Sequence, residues 1–236
     1  MTKKQVNLIY AAKFCFILLK IVAFYNKFAP VLHFFMEQTL QNTKLGLKLP
    51  TDPRWVDLAS FDLGEILTDH AYCEQKAATS IISLIQSYPE RETLVEELAP
   101  IVTEEWGHFR MVLQELKKRN LKLGSQRKDE YVNELLKFQQ KGLSKEDALL
   151  EKLLTCALIE ARSCERFRLL SLFCSDEDLR TWYHKFMVAE ALHYKLFLRL
   201  AEEYFDKEKT RARWQAYLAY EAGIMERLEA RGDRMH

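Results

Sequence analysis

The sequence predicts an all-α protein, and three observations support this fold class. Its 236 residues include only seven glycines and five prolines, so few positions interrupt the long stretches that can form helices. No Asn-Gly or Asp-Gly pair joins runs of alternating apolar and polar residues, as a tight β-hairpin usually requires. Hydrophobic residues form 48% of the chain, which is enough for one substantial helical core.

Residues 1–44 are predicted to be an N-terminal extension, outside a domain that covers residues 45–236. Asn7–Phe24 is apolar, but Lys13 and Lys20 interrupt it, and its longest unbroken apolar run has six residues. A membrane-spanning helix needs roughly 20 mostly apolar residues, and a secreted protein needs a small-residue cleavage site, which is missing here. We therefore expect an amphipathic or surface helix, no stable membrane association and a cytoplasmic protein.

Six helices are predicted from the apolar periodicity of the domain, after an extended lead-in over Leu45–Ala59. They cover about Asp62–Tyr88, Glu90–Asn120, Asp129–Lys141, Lys145–Phe173, Ser175–Phe205 and Thr210–Ala230. Pro89 ends the first helix, and Pro100 predicts a kink near the middle of the second because proline lacks the backbone N–H. Ser144, and the acidic run that begins at Ser175, are N-terminal capping signals for two further helices.

Two copies of a Glu-x-x-His motif carry most of the chemical information. A lone glutamate precedes the first copy by 31 residues and the second by 30 residues. The residues are Glu74, Glu105 and His108 in the first half, and Glu160, Glu190 and His193 in the second. A glutamate and a histidine three residues apart differ by about 60° in direction and one turn in height, so both can reach one metal ion.

This residue set is the ligand inventory of a di-iron or di-manganese centre in a four-helix bundle. The long connection between the second and third long helices lets one antiparallel pair return for another. We therefore predict a ferritin-like four-helix bundle with a helical crossover connection and an additional C-terminal helix. The alternative is a bundle that holds buried Glu–His or Glu–Arg pairs without metal.

The four glutamates each occupy the middle of an apolar helical stripe, where an ionised carboxylate is costly unless it is paired or binds a metal. Neighbouring residues fail this test, because Glu104 is about 100° off its stripe and Glu165 is about 140° from Glu160. His70 lies one turn before Glu74 on the same stripe. It is a candidate hydrogen-bond partner of a ligand or an extra ligand, although a core histidine is the simpler interpretation.

Cysteine and charge patterns exclude some classes of protein. The five cysteines form no Cys-x-x-Cys pair, which excludes a zinc ribbon or a rubredoxin-like iron site and indicates a reducing compartment. The formal net charge is only +1, but six cations cluster at Lys117, Lys118, Arg119, Lys122, Arg127 and Lys128. They are either a solvated helix end or a surface that contacts phosphates.

Several strings around the candidate ligands carry a resemblance to a known family. They are Gly46–Trp55, Asp69–Ala78, Glu104–Phe109, Glu160–Phe167 and Glu190–Tyr194. Together they resemble the bacterial tRNA hydroxylase family usually called MiaE, over about Leu45 to the C-terminal residue. The ligand spacing is shared by ferritin-like proteins in general, whereas the strings at Asp69 and Glu160 are far more specific.

The resemblance implies an enzyme that hydroxylates the isopentenyl group of 2-methylthio-N6-isopentenyl-adenosine beside the anticodon of tRNA. It implies a centre of two iron ions, with dioxygen and two electrons from an external reductant through an electron-transfer reductase. Glu74, Glu105 and His108 would hold one iron, and Glu160, Glu190 and His193 the other. Glu105 and one glutamate of the other half would bridge. The tRNA phosphates would contact Lys117, Lys118 and Lys122, with Arg162 and Arg166.

Two other functions share this ligand set. A ferritin-like ferroxidase would oxidise iron without an organic substrate, but storage subunits form shells and need no basic cluster. A quinone-pathway di-iron hydroxylase would give the apolar N-terminal extension a membrane role. The strings quoted above argue against the quinone-pathway hydroxylase, and a measurement of the oligomeric state would separate the ferroxidase from the tRNA hydroxylase.

Overall fold

Seven α-helices and no strand are found in residues 45–228 and 231–235, which are the residues that the computed structural model describes. We label the helices α1 (Trp55–Phe61), α2 (Leu63–Ser87), α3 (Glu92–Lys118), α4 (Glu130–Phe138), α5 (Lys145–Phe173), α6 (Glu177–Tyr204) and α7 (Lys207–Arg227). The predicted all-α fold is therefore confirmed. The boundary proposed between residues 44 and 45 stays a prediction, because residues 1–44 lie outside the described residues.

The helix starts follow from side chains that cap exposed backbone N–H groups. Ser144 Oγ accepts a hydrogen bond from Asp147 N at 3.0 Å, and Asp176 Oδ1 accepts one from Leu179 N at 3.1 Å. Both capping signals read from the sequence are thus confirmed. Pro100 lies inside α3 as expected, and the kink predicted there stays a prediction.

The lead-in predicted to be extended is wrong at its C-terminal end, where α1 forms. Trp55, Val56 and Ala59 of this short helix are buried against the bundle. Trp55 Nε1 also donates a hydrogen bond to the carbonyl oxygen of Arg231 at 2.9 Å. Seven residues are too few for a clear helical period, so burial of one face by tertiary contacts stabilises this helix.

The four long helices form two antiparallel hairpins, α2 with α3 and α5 with α6, which make the most extensive helix contacts. The connection between the hairpins contains α4, and α7 packs against both α4 and α5. The predicted four-helix bundle, its helical crossover and its additional C-terminal helix are all confirmed. No described helix has a long enough apolar stretch to cross a membrane.

A buried ion-pair network fastens α7 and the residues before α1 onto α5. Arg162 is fully buried, and its Nη2 atom lies 2.6 Å from Glu221 Oε1 of α7. The same guanidinium donates to Thr51 Oγ1 at 3.0 Å and pairs with the Glu165 carboxylate. These contacts satisfy a charge that would be very costly to bury alone.

Candidate metal centre

The four bundle helices bring the two Glu-x-x-His motifs and the two lone glutamates together at mid-height. Ligand-type atoms of Glu74, Glu105, His108 and Glu190 all lie within 4.8 Å of one another. A second group with the same property contains Glu105, Glu160, Glu190 and His193. Glu105 and Glu190 belong to both groups. All six residues are buried, so the arrangement could hold two adjacent cations with two shared carboxylates.

The two histidines point their Nδ1 atoms toward the carboxylates. His108 Nδ1 lies 3.2 Å from Glu105 Oε2, and His193 Nδ1 lies 2.8 Å from Glu105 Oε1. Burial alone would lower the pKa of each imidazole, but close contacts with Glu105 and the neighbouring carboxylates raise it, to about 10 for His108 and about 11 for His193. The nearby carboxylates thus favour the positively charged form of both imidazoles.

The Nε2 atoms of both histidines face Glu104, a residue whose position on the helix had excluded it as a candidate metal ligand. Glu104 Oε2 lies 3.3 Å from His193 Nε2, and its Oε1 atom lies 3.9 Å from His108 Nε2. Glu104 is 44% exposed and therefore stands outside the cluster. Its sequence signals were its place beside Glu105 and its place in the string Glu104–Phe109, because a helical wheel of α3 alone cannot show a contact with α6.

His70 lies deep in the bundle and contacts a candidate ligand directly. Its Nε2 atom is 2.6 Å from Glu74 Oε1, and both side chains are buried. The imidazole ring packs against Phe167 and Phe186, each with ring centres 4.7 Å from it. An imidazole held this tightly restricts the Glu74 carboxylate to one orientation.

The residues present fit a pair of metal ions. Glu190 Oε2, Glu105 Oε1 and both ring nitrogens of His193 are buried without a well-oriented hydrogen bond among the described residues. Burial, together with the Glu105 charge, raises the pKa of Glu74 well above its usual range, and burial with Glu190 does the same for Glu160. Cations would satisfy these atoms, and carboxylate and imidazole ligands suit iron or manganese.

A cavity of about 510 Å³ extends from the surface to this cluster, between α2, α4 and α5. The four clustered glutamates line it, and most of the remaining lining is apolar, including Ala77, Ile81, Leu84, Val132, Ile159 and Phe167. Four of its lining residues are exposed and mark the opening between α2 and α4, namely Thr79, Ser80, Ser83 and Leu136. An apolar group can therefore enter from solvent and reach the carboxylates.

Comparison with known proteins identifies the family. Residues 38–236 match the family model described as tRNA-(MS[2]IO[6]A)-hydroxylase (MiaE). The chain belongs to the MiaE family. The resemblance seen in the sequence strings is thereby confirmed.

Two curated relatives of this MiaE family chain carry the same name, tRNA 2-(methylsulfanyl)-N(6)-isopentenyladenosine(37) hydroxylase. The protein from Pseudomonas putida strain KT2440 is 35% identical over 161 residues, which are 68% of this chain and 77% of the relative. The protein from Salmonella typhimurium strain LT2 is 27% identical, over 66% of this chain and 75% of the relative.

A solved structure, "Protein 43 with aldehyde deformylating oxygenase activity from Synechococcus", has a similar fold. It superposes with a TM-score of 0.75 and is 33% identical, covering 80% of this chain and 94% of that protein. Similarity over nearly the whole of that protein supports the ferritin-like bundle described above.

Two of the five residues proposed for tRNA contact in this MiaE family chain are buried. Arg162 is fully buried in the network with Glu221, and Arg166 is 5% exposed. The Arg166 guanidinium lies 4.8 Å from the centre of the Trp55 ring, and its Nη1 atom donates to the carbonyl oxygen of Arg234. Sequence alone placed them away from the metal stripe but could not show that α1, α7 and residues 231–235 cover them.

The other proposed contacts, Lys117, Lys118 and Lys122, are exposed but lie away from the cavity opening. Lys117 is 12 residues beyond Glu105 along α3, which corresponds to about 18 Å of helix. Two lysines that the sequence analysis did not single out line the cavity instead. Lys76 pairs with Asp129 at 2.7 Å, whereas Lys152 makes no ion pair within the described residues.

Proposed function

We propose that this protein hydroxylates the isopentenyl group of 2-methylthio-N6-isopentenyl-adenosine in tRNA. One oxygen atom of dioxygen enters a C–H bond of the prenyl group. The other leaves as water, using two electrons and two protons from an external reductant. The observation that carries this proposal is the apolar cavity that joins solvent to the buried carboxylate cluster in a chain of the MiaE family.

Two iron ions are the proposed cofactor, and this chain offers the six residues to hold them. Glu74 and His108 would serve one ion, Glu160 and His193 the other, and Glu105 with Glu190 would bridge, as their membership of both groups supports. Iron ions bound there would supply the reduction and activation of dioxygen. An electron-transfer reductase would deliver the electrons, and a tRNA substrate makes the cytoplasm the expected location.

The protein side chains control access and orientation around the reacting group. The apolar cavity wall excludes water, so that a prenyl group can lie beside the carboxylate cluster without solvent. His70 holds Glu74 on the inner side, and Glu104 faces the outer nitrogens of both histidines. We propose that these two residues keep the metal ligands in fixed orientations.

The tRNA would present the modified base at the opening between α2 and α4. An anticodon loop suits this geometry because its bases can be turned out of the stack into a pocket. Lys152, which has no acidic partner among the described residues and lines the cavity, is placed to contact a phosphate near the base. Lys117, Lys118 and Lys122 would contact phosphates farther along the molecule.

Mass analysis of tRNA nucleosides tests the proposed function. tRNA that carries the prenylated base would be incubated with iron-loaded protein, reductant and dioxygen, and then digested. We expect the prenylated nucleoside to gain one oxygen atom, and no gain with Glu105→Ala. An unchanged nucleoside with iron-loaded, reduced wild-type protein would contradict the proposal.

Aldehyde deformylation is a second candidate activity. The Synechococcus protein with this activity in its name is 33% identical, and the cavity here is largely apolar, as an alkyl chain requires. The same iron-loaded preparation would be incubated with fatty aldehydes of graded length. Release of the shortened hydrocarbon without nucleoside hydroxylation would favour this activity over the first.

A further inference from the structure

Residues 231–235 are held across the bundle by side chains from α1, α2 and α5. Trp55 Nε1 donates to the carbonyl oxygen of Arg231 at 2.9 Å, and Arg166 Nη1 donates to that of Arg234 at 3.2 Å. The backbone N–H of Met235 donates to Asp69 Oδ2 at 2.8 Å, in a buried contact. These hydrogen bonds fix the direction of the segment at both ends.

The segment also makes an unusually close backbone contact at Gly232. A Cβ atom added there would lie 2.1 Å from the carbonyl oxygen of Leu58 in α1, a distance that no side chain tolerates. Asp233 adds an ion pair, with its Oδ2 atom 3.0 Å from Arg127 Nη1. Contacts with the rest of the domain therefore fix the positions of Arg234 and Met235, which follow Asp233.

Met235 lies at the inner end of the cavity, on the far side of the carboxylates from the opening. Its backbone is bonded to Asp69, five residues before Glu74 along α2, or about 7.5 Å of helix. The opening residues Thr79 and Ser83 lie beyond Glu74 in the other direction. Met235 is 1% exposed, lines the cavity and belongs to the core cluster that contains Phe167.

We propose that Met235 closes the inner end of the substrate cavity and limits the length of the apolar group that can lie beside the carboxylates. This inference rests on the proposed function for the identity of that group, a prenyl chain. The Met235 side chain is unbranched and apolar, so it limits the space at the end of the cavity without placing a charge there. Asp69 and Arg166, which belong to the most family-specific strings, hold the 231–235 segment in place and so position Met235.

Two substitutions with opposite expected effects test this role. Met235→Ala lengthens the cavity, and Met235→Phe places a stiff ring at its end. Wild-type and variant enzymes would be compared on two nucleosides, one with the isopentenyl group and one with a chain longer by one isoprene unit. Because each methylene in an apolar pocket changes selectivity about tenfold or more, we expect Met235→Ala to raise the relative kcat/KM for the longer chain by at least about tenfold. Met235→Phe should lower it.

Binding to the metal-free protein separates this inference from the proposed reaction. Linear alcohols of graded chain length would be titrated calorimetrically, and the longest chain that binds would be recorded. We expect this limit to move to longer chains in Met235→Ala and to shorter chains in Met235→Phe. Met225→Ala, which removes the same side chain from α7 outside the cavity, should leave the limit unchanged.

The outcomes are distinct. An unchanged length limit and an unchanged substrate ratio in both Met235 variants would overturn the role of Met235. Shifted limits with no hydroxylation of either nucleoside by wild-type protein would support the cavity wall and contradict the proposed reaction. General loosening of the fold cannot mimic the expected result, because it would move both variants in the same direction.

Discussion

His70 Nε2 lies 2.6 Å from Glu74 Oε1, and both side chains are buried at mid-height in the bundle. The histidine is surrounded by the aromatic rings of Phe167, Trp182, Tyr183 and Phe186. The ring therefore has little freedom to rotate, and the Glu74 carboxylate is oriented by a nearly rigid partner. This contact supports a positioning role for His70 rather than a purely packing one.

We predict that His70→Leu lowers iron affinity without unfolding the bundle. Loss of a hydrogen bond to a ligand usually costs about 10- to 100-fold in metal affinity. His70→Gln, which keeps a polar atom near Glu74, should recover part of the loss. Calorimetric titration of the metal-free variants with ferrous iron measures both values. Equal affinities in His70→Leu and wild type would leave His70 with a packing role alone.

Metal content should depend most on Glu105 and Glu190, the two residues that belong to both ligand groups. Wild-type protein is expected to bind two irons per chain, and Glu105→Ala to lose both because Glu105 belongs to both groups. His193→Ala should lose mainly the ion on its own side. Glu96→Ala, an exposed change on the same helix as Glu105, is the matched control. Two irons retained by a Glu105→Ala, His193→Ala double variant would exclude this assignment.

Glu165→Ala is unsuitable as a control for the metal-content measurements, because we expect it to change stability. Glu165 lies away from the cluster, but it accepts a hydrogen bond from Thr51 Oγ1 at 2.7 Å and pairs with buried Arg162. Removing one partner of a buried ion pair usually costs about 3–5 kcal/mol. We therefore expect Glu165→Ala to lower the midpoint of chemical unfolding clearly, with the metal-free protein as the sample. A midpoint equal to that of wild type would mean that Arg162 finds another partner.

tRNA binding and the reaction at the metal centre should depend on different residues. Replacing Lys117, Lys118 and Lys122 by alanine should weaken tRNA binding and reduce its salt slope by up to about 2 units, at roughly 0.7 per single-strand contact. Hydroxylation of the free nucleoside should barely change, since none of the three residues lines the cavity. Lys152→Ala would be measured in the same way. Weaker tRNA binding by Lys152→Ala, with unchanged binding by the triple variant, would show that tRNA contacts the protein around the cavity opening and not at the three lysines.

Two glycine substitutions should change stability in opposite directions. Gly232→Ala forces residues 231–235 away from Leu58, and we expect it to destabilise the protein by about 1–3 kcal/mol, as overpacking usually does. Gly107→Ala adds a methyl group to a helix interior with nothing within 4 Å, and should stabilise by about 0.5–1 kcal/mol. Urea unfolding of the metal-free variants measures both. A Gly232→Ala variant as stable as wild type would contradict a fixed 231–235 segment.

The N-terminal extension should be dispensable for folding and catalysis. Protein that starts at Met36 still contains the whole segment matched by the family and all six candidate ligands. It should fold, load iron and turn over like the full chain. Soluble, iron-loaded protein that is inactive when it starts at Met36 would show that the first 35 residues have a functional role.

The sequence was sufficient to predict the long helices and the stripe on which each Glu-x-x-His residue lies. Apolar periodicity and capping residues are local signals, so Lys145–Phe173 was predicted with the bounds that the structure shows. The matched spacing of the two halves predicted that the two Glu-x-x-His motifs and the two lone glutamates form one metal centre, and left open which glutamate of the second half bridges with Glu105. These features depend on the helical repeat, which operates within one segment of chain.

Only the tertiary structure decided what lies between helices and what covers them. Glu104 was set aside on a helical wheel, yet its carboxylate faces the Nε2 atoms of both His108 in α3 and His193 in α6. Arg166 was read as a surface cation, but residues 231–235 cover it. Met235 is held at the cavity by tertiary contacts, such as its hydrogen bond to Asp69, 166 residues away in the chain. Such contacts join distant segments, and no local period in the sequence encodes them.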